Sequence, residues 1–212
     1  MDETETHAGT LKLIGGRLSL DFANAVGWHA SDHPHEWLTS YADLVTWSRH
    51  AGILTDRQAQ RLLKEAARRP VDATAVLERA IALREAIYRI FSAISHGLLP
   101  QAADLDTLNA ELSGALARSQ IVPAADGFAW DWVGTGDTLD RMLWAVVRDA
   151  ADLLTSDDLN RVRECAGDGC GWLFLDMSRN RSRRWCAMDD CGNRAKARRF
   201  YERRRAARRR VS

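Results

Sequence analysis

The chain has 212 residues, a formal net charge of +1, 46% hydrophobic and 28% charged residues. That is enough apolar content for one substantial core with a small appended module, and too balanced a mixture for global disorder or a fibrous repeat. The near-zero charge hides a division: residues 1–178 carry sixteen Lys+Arg against twenty-six Asp+Glu, a balance of −10, and residues 179–212 carry fourteen against three, a balance of +11, so a basic end suited to a polyanion is joined to an acidic body.

The start, "MDETETHAGT", is acidic and has no hydrophobic run, so residues 1–10 are expected to be a flexible leader and not an export signal. No stretch reaches the roughly 18–20 apolar residues of a membrane span. The expected location is the cytoplasm, at the nucleoid, where thiols stay reduced and paired cysteines hold metal more often than disulfides.

In chain order, "LKLIGGRLSLDF" alternates Leu11, Leu13, Leu18, Leu20 and Phe22 around Gly15 and Gly16. This pattern predicts a β-hairpin with a glycine turn, and no P-loop lysine follows to make the glycines a phosphate cradle. Ser40 with Asp43 marks the start of a helix carrying Tyr41, Leu44, Val45 and Trp47, which stops at Gly52. Further helices are expected from Thr55 to Pro70, over "VDATAVLERAIALREAIYRIFSAISHG" and over "AADLDTLNAELSGALAR". Phe128, Trp130 and Trp132 alternate after "PAADG", giving a second hairpin between Ser119 and Gly134, and "TLDRMLWAVVRDAADLL" returns to helical period.

All four cysteines then follow as C-x4-C-x15-C-x4-C: Cys165, Cys170, Cys186 and Cys191. Four thiolates in two knuckles suit one structural, tetrahedral Zn²⁺, and closing the site with four sulfurs argues against catalysis at the metal. Between the knuckles "GWLFLDMSRNRSRRW" reads as a short hairpin, with Trp172 and Phe174 on one face and Leu173 and Leu175 on the other. Trp172, Phe174 and Trp185 are expected to form a small core of the finger. After Cys191, "GNRAKARRFYERRRAARRR" has the residues of a helix.

From residue 179 to residue 205 the cations are Arg179, Arg181, Arg183, Arg184, Arg194, Lys196, Arg198, Arg199, Arg203, Arg204 and Arg205. Guanidinium groups match phosphate and the guanine edge, so these residues are the candidates for DNA contact, with RNA an alternative partner for the same surface. Phe200 and Tyr201 are available for helix docking or base stacking. Elsewhere, His29, His33 and His35 beside Asp32 read as an exposed loop and not as a second metal site. Asp21, Asn24, Arg84 and Asn109 sit in otherwise apolar elements and would form a buried polar network or the floor of a ligand pocket. No nucleophile–base or paired-carboxylate spacing makes a positive case for an enzyme; an unrecognised active site in the N-terminal domain remains the other alternative.

The stretch from Cys165 through Arg205, with "WLFLD", "SRRWC" and "CGNRAKARR", resembles the bacterial CGNR zinc fingers. "GGRLSLDFANAVGW", "SYADLVTWSRHAGIL" and "LREAIYRIF" are similar to the ABATE domain that precedes that finger in a family of stress-induced transcription regulators; Ala25 and His29 stand where the family pattern has threonine and arginine. The resemblance implies a DNA-binding regulator. The expectation is therefore an α+β fold, mostly α. Residues 11–158 would form a helical domain with small hairpins, suited to an effector ligand or to homodimer formation, and 159–212 a treble-clef-like zinc finger ending in a basic helix that contacts duplex DNA.

Overall fold

The computed structural model describes residues 6–134 and 138–209, with side chains through Ala206. The elements in order are α1 (Leu18–Ala23), β1 (Val26–Gly27), β2 (His35–Glu36), α2 (Tyr41–His50), α3 (Asp56–Arg68), α4 (Pro70–Ser95), α5 (Ala102–Leu116), β3 (Ser119–Ala124), β4 (Gly127–Trp132) and α6 (Arg141–Leu154). A 3₁₀ turn (Asp157–Arg161), β5 (Val162–Glu164), β6 (Leu173–Leu175) and α7 (Asn193–Arg209) complete the chain. It is a helical α+β protein with three two-stranded antiparallel sheets among the described residues. Among the described residues no helix is long and apolar enough to cross a membrane.

Local chemistry accounts for the helix starts. The Ser40 hydroxyl accepts from the Asp43 N–H at 3.2 Å, and Thr55 with Gln58 completes a reciprocal capping box. Pro70 opens α4, where its missing N–H costs nothing. α4 is the axis of the molecule: α1, α2, α3, α5, α6, β5 and β6 all pack against it. Its buried face, with Val76, Ala80, Leu83, Ile87, Ile90 and Phe91, meets Phe22, Trp47, Leu143, Val147 and Leu153 in one continuous core. The hairpin expected near Ser119 forms in full, with Ser119 opposite Trp132 and Ala124 opposite Gly127.

The hairpin expected over residues 11–22 does not form. Gly16 turns the chain at φ +77°, but Leu18–Ala23 then coils into α1. The cause is tertiary: the Asp149 carboxylate, on α6, accepts from the Ser19 N–H at 2.8 Å and the Ser19 hydroxyl at 2.6 Å and pairs with Arg17 at 2.9 Å. It thereby caps a helix start that has no cap of its own. Of the leader expected at 1–10, residues 6–10 are described. His7–Thr10 forms a turn with Ala8 buried, and residues 1–5 lie outside the described residues.

The finger's strand pairing also differs from expectation. β6 pairs backwards with β5, Val162 opposite Leu175 and Glu164 opposite Leu173, so the hairpin spans the first knuckle and does not lie between the two. Residues 177–185 form a loop instead, because the buried Asp176 carboxylate draws the chain around itself, accepting from the Ser178 and Arg183 N–H groups at 2.9 Å each. The alternation along 172–175 does hold: Leu173 and Leu175 enter the main core, while Trp172 and Phe174 enter a second cluster with the cysteines and Trp185.

Candidate metal centre and basic surface

The four cysteines are buried and their Sγ atoms all lie within 4.8 Å of one another. Cys170 and Cys186 are 3.7 Å apart, Cys186 and Cys191 3.6 Å. A tetrahedron with Zn–S bonds of about 2.3 Å has S···S edges of about 3.8 Å, so the donor set fits one structural zinc ion. Hydrogen bonds from Cys170, Cys186 and Cys191 drive the Cys165 thiol below its ordinary range, and Cys165 in turn pushes Cys170 and Cys186 up. A divalent cation at their centre would stabilise all four thiolates.

The surroundings support the resulting negative charge. The Gly167 and Cys186 N–H groups donate to Cys165 Sγ at 3.4 and 3.3 Å, and Arg194 Nη2 donates to Cys191 Sγ at 2.9 Å. A wide turn, Met188–Gly192, carries Cys191 directly into α7, so the sulfur sits at the positive end of that helix. Gly167 permits the convergence, since a Cβ there would lie 2.8 Å from Cys191 Sγ.

The knuckles rest on the N-terminal body. Asn24, buried to 2% exposure, donates to the Leu173 carbonyl at 2.8 Å and accepts from its N–H at 2.7 Å. Trp172 Nε1 donates to the Val26 carbonyl at 2.7 Å, the His29 N–H to the Cys170 carbonyl at 3.1 Å, and the Leu175 N–H to the Gly15 carbonyl at 2.8 Å. Gly171, at φ +69°, passes so close that a Cβ would lie 2.7 Å from the Ala30 nitrogen. Residues 15–31 are thus a seat for the finger.

The ABATE family model, described as "Putative stress-induced transcription regulator", matches residues 16–157. The chain belongs to the ABATE family. Its C-terminal residues 161–204 match the CGNR zinc finger, and no curated protein sequence matches the chain. In this ABATE protein the family pattern and the four-sulfur cluster together describe a zinc-binding protein of a regulator family.

The structure sorts these cations into four groups. Two serve the finger: Arg183 donates to the Trp185 carbonyl at 3.0 Å and to the Cys186 carbonyl, and lies 4.2 Å over the Phe174 ring. Arg194 holds Cys191, pairs with Asp190 at 3.4 Å and lies 4.3 Å over Trp28. Arg198 is tied to Asp168 at 2.7 Å and Glu202 at 3.2 Å, and Arg181 donates to Asn160 at 3.3 Å. Arg184 and Arg204 lie only near Trp185 and Phe200. Exposed and without a side-chain partner among the described residues are Arg179, Lys196, Arg199, Arg203 and Arg205. At about 100° per residue, Lys196, Arg199 and Arg203 fall within about 60° of one another, opposite the Arg194–Arg198 side that faces the finger.

The four polar residues singled out in the body do not meet. Burial pushes the Asp21 carboxyl up to about 6, and it accepts from the Gly15 N–H at 2.7 Å. Asn24 clamps Leu173, Arg84 makes a two-point ion pair with Glu36 at 2.6 and 2.7 Å, and Asn109 is exposed on α5. His29 is not in an exposed loop: its ring is stacked 3.6 Å from Tyr88 and bonded to Glu85 at 3.0 Å. His33 and His35 are exposed. Sequence reasoning missed Trp28 and His29 as parts of the finger's seat; the residues at which a loop wraps a knuckle carry no local signal.

Proposed function

We propose that this protein is a zinc-dependent transcription regulator that binds duplex DNA through its finger. The reading rests on one observation, the unpartnered cationic stripe Lys196, Arg199 and Arg203 on a helix whose first turn is fixed to the metal knuckle. Arg179, Arg184 and Arg205 are further exposed cations of the finger, with Arg205 on the opposite side of the helix from that stripe. A helix of 17 residues spans about 25 Å at about 1.5 Å per residue, enough to follow a groove or cross a backbone. Guanidinium groups there bind phosphates in two-point fashion and can reach the O6 and N7 edge of guanine. The zinc supplies rigidity: it holds Cys191, and with it the start of α7, against the body.

The test is fluorescence anisotropy of the zinc-loaded full chain with labelled duplex DNA across a salt series, with a structured RNA as competitor. With about six phosphates engaged, affinity falls about 10³-fold between about 50 and 200 mM salt. Binding that ignores salt, or preference for the RNA, contradicts the reading.

A further inference from the structure

A cavity of about 350 Å³ lies in the N-terminal body, lined by Leu18 of α1, the Ala51–Ile53 turn after α2, Trp132 of β4, and Arg141 and Ala145 of α6. No residue of the finger lines it. Its volume falls in the roughly 300–1,000 Å³ range of small-molecule sites, and among the described residues that line it Arg141 alone carries a charge.

Arg141 is exceptional in this body. Arg17 pairs with Asp149, Arg79 with Glu111 and Asp140, Arg84 with Glu36, Arg89 with Asp104, and Arg148 with Asp152. Arg141 is half-buried and has no side-chain hydrogen bond or ion pair among the described residues. Among the described residues no carboxylate lines the cavity beside it. In an acidic body, a half-buried guanidinium left without a counter-charge is a built acceptor for an anion. Arg141 also opens α6, whose start adds partial positive charge.

We infer that this cavity binds a small amphiphilic carboxylate, with the carboxylate on Arg141 and the apolar chain between Leu18, Ile53, Ala145 and the Trp132 ring. A single cation suits a monoanion; a phosphate dianion would keep half its charge uncompensated. The inference goes beyond DNA binding and does not depend on it, because the ligand is read on the protein alone.

The experiment is isothermal titration calorimetry of the zinc-loaded full chain with octanoate and with octanamide, its uncharged analogue. Octanoate is expected to bind one per chain, and octanamide at least about tenfold more weakly because it lacks the charge-assisted pair. Arg141→Gln is expected to bring octanoate down to the level of octanamide, and Ala145→Phe, which fills the cavity, to abolish both. In the wild-type protein, octanoate should shift the NMR signals of Trp132 Nε1 and Arg141 Nε, a readout that stands even where a variant does not fold. Equal affinity for the two probes, no binding of octanoate at millimolar concentration, unchanged affinity in Arg141→Gln, or shifts confined to other residues would each overturn the assignment.

Discussion

Asn24 and Leu173 exchange two hydrogen bonds across 149 residues of sequence, so that a side chain of the body satisfies both backbone groups of a residue in the finger's strand. Replacing Asn24 by alanine leaves a buried N–H and a buried carbonyl without partners, at about 1–3 kcal/mol each. We expect a loss of about 2–4 kcal/mol in urea unfolding of the zinc-loaded protein, with hydrogen exchange accelerated first in β5 and β6. A loss below about 0.5 kcal/mol, the level of an ordinary surface change, would show that this pair does not hold the finger.

Zinc removal is expected to reach past the finger. Cys191→Ser, or chelation, should release about one zinc per chain, abolish DNA binding and lower the melting temperature of the body as well, because Leu173 and Leu175 lie in the main core. Calorimetry of the full chain with and without chelator checks this; an unchanged body transition argues against shared packing.

The arginines should separate by role. Lys196→Ala, Arg199→Ala and Arg203→Ala are each expected to reduce the slope of log K against log salt by about 0.9 while leaving the melting temperature in place. Arg183→Ala should act in reverse order, destabilising the finger first, since it removes the bonds to the Trp185 and Cys186 carbonyls and the contact with Phe174. Equal behaviour of Arg183 and Arg199 in the two measurements would contradict the division.

Asp21 provides a pH test. Burial raises its carboxyl from 3.8 to about 6 in the folded state, so the folded protein holds this proton more tightly than the unfolded chain. Its stabilising contribution is complete below the ordinary value and is lost as pH rises to about 6, up to about 3 kcal/mol for about two pH units. Asp21→Asn keeps an acceptor for the Gly15 N–H and removes the titration. The stability of the variant relative to wild type should therefore climb between about pH 4 and 6 and then level off, measured by urea unfolding across that range. A difference that stays flat would remove the buried charge as a factor.

The sequence was informative wherever a signal is local. Ser40 with Asp43, Thr55 with Gln58 and Pro70 mark helix starts within a few residues of themselves, and four cysteines at matched spacing define a metal centre without any knowledge of the fold. It misled where the deciding group is remote. α1 depends on Asp149, 130 residues away from Ser19, and an alternating run that lacks a visible cap reads as a strand. Leu173 and Leu175 announce a buried face without saying whose core it enters. Arg183, Arg194 and Arg199 are the same residue type in one basic run, and only their neighbours, a carbonyl pair, a sulfur and open solvent, distinguish them.

The two faces of β6 bear on how portable this module is. A fragment cut just before residue 161 would retain every metal ligand yet display Leu173 and Leu175 as a bare greasy strip, with Asn24 no longer there to finish the strand. Grafted onto a foreign protein, such a cassette would be prone to clump, so any chimera needs the Gly15–Ser31 seat carried along with it.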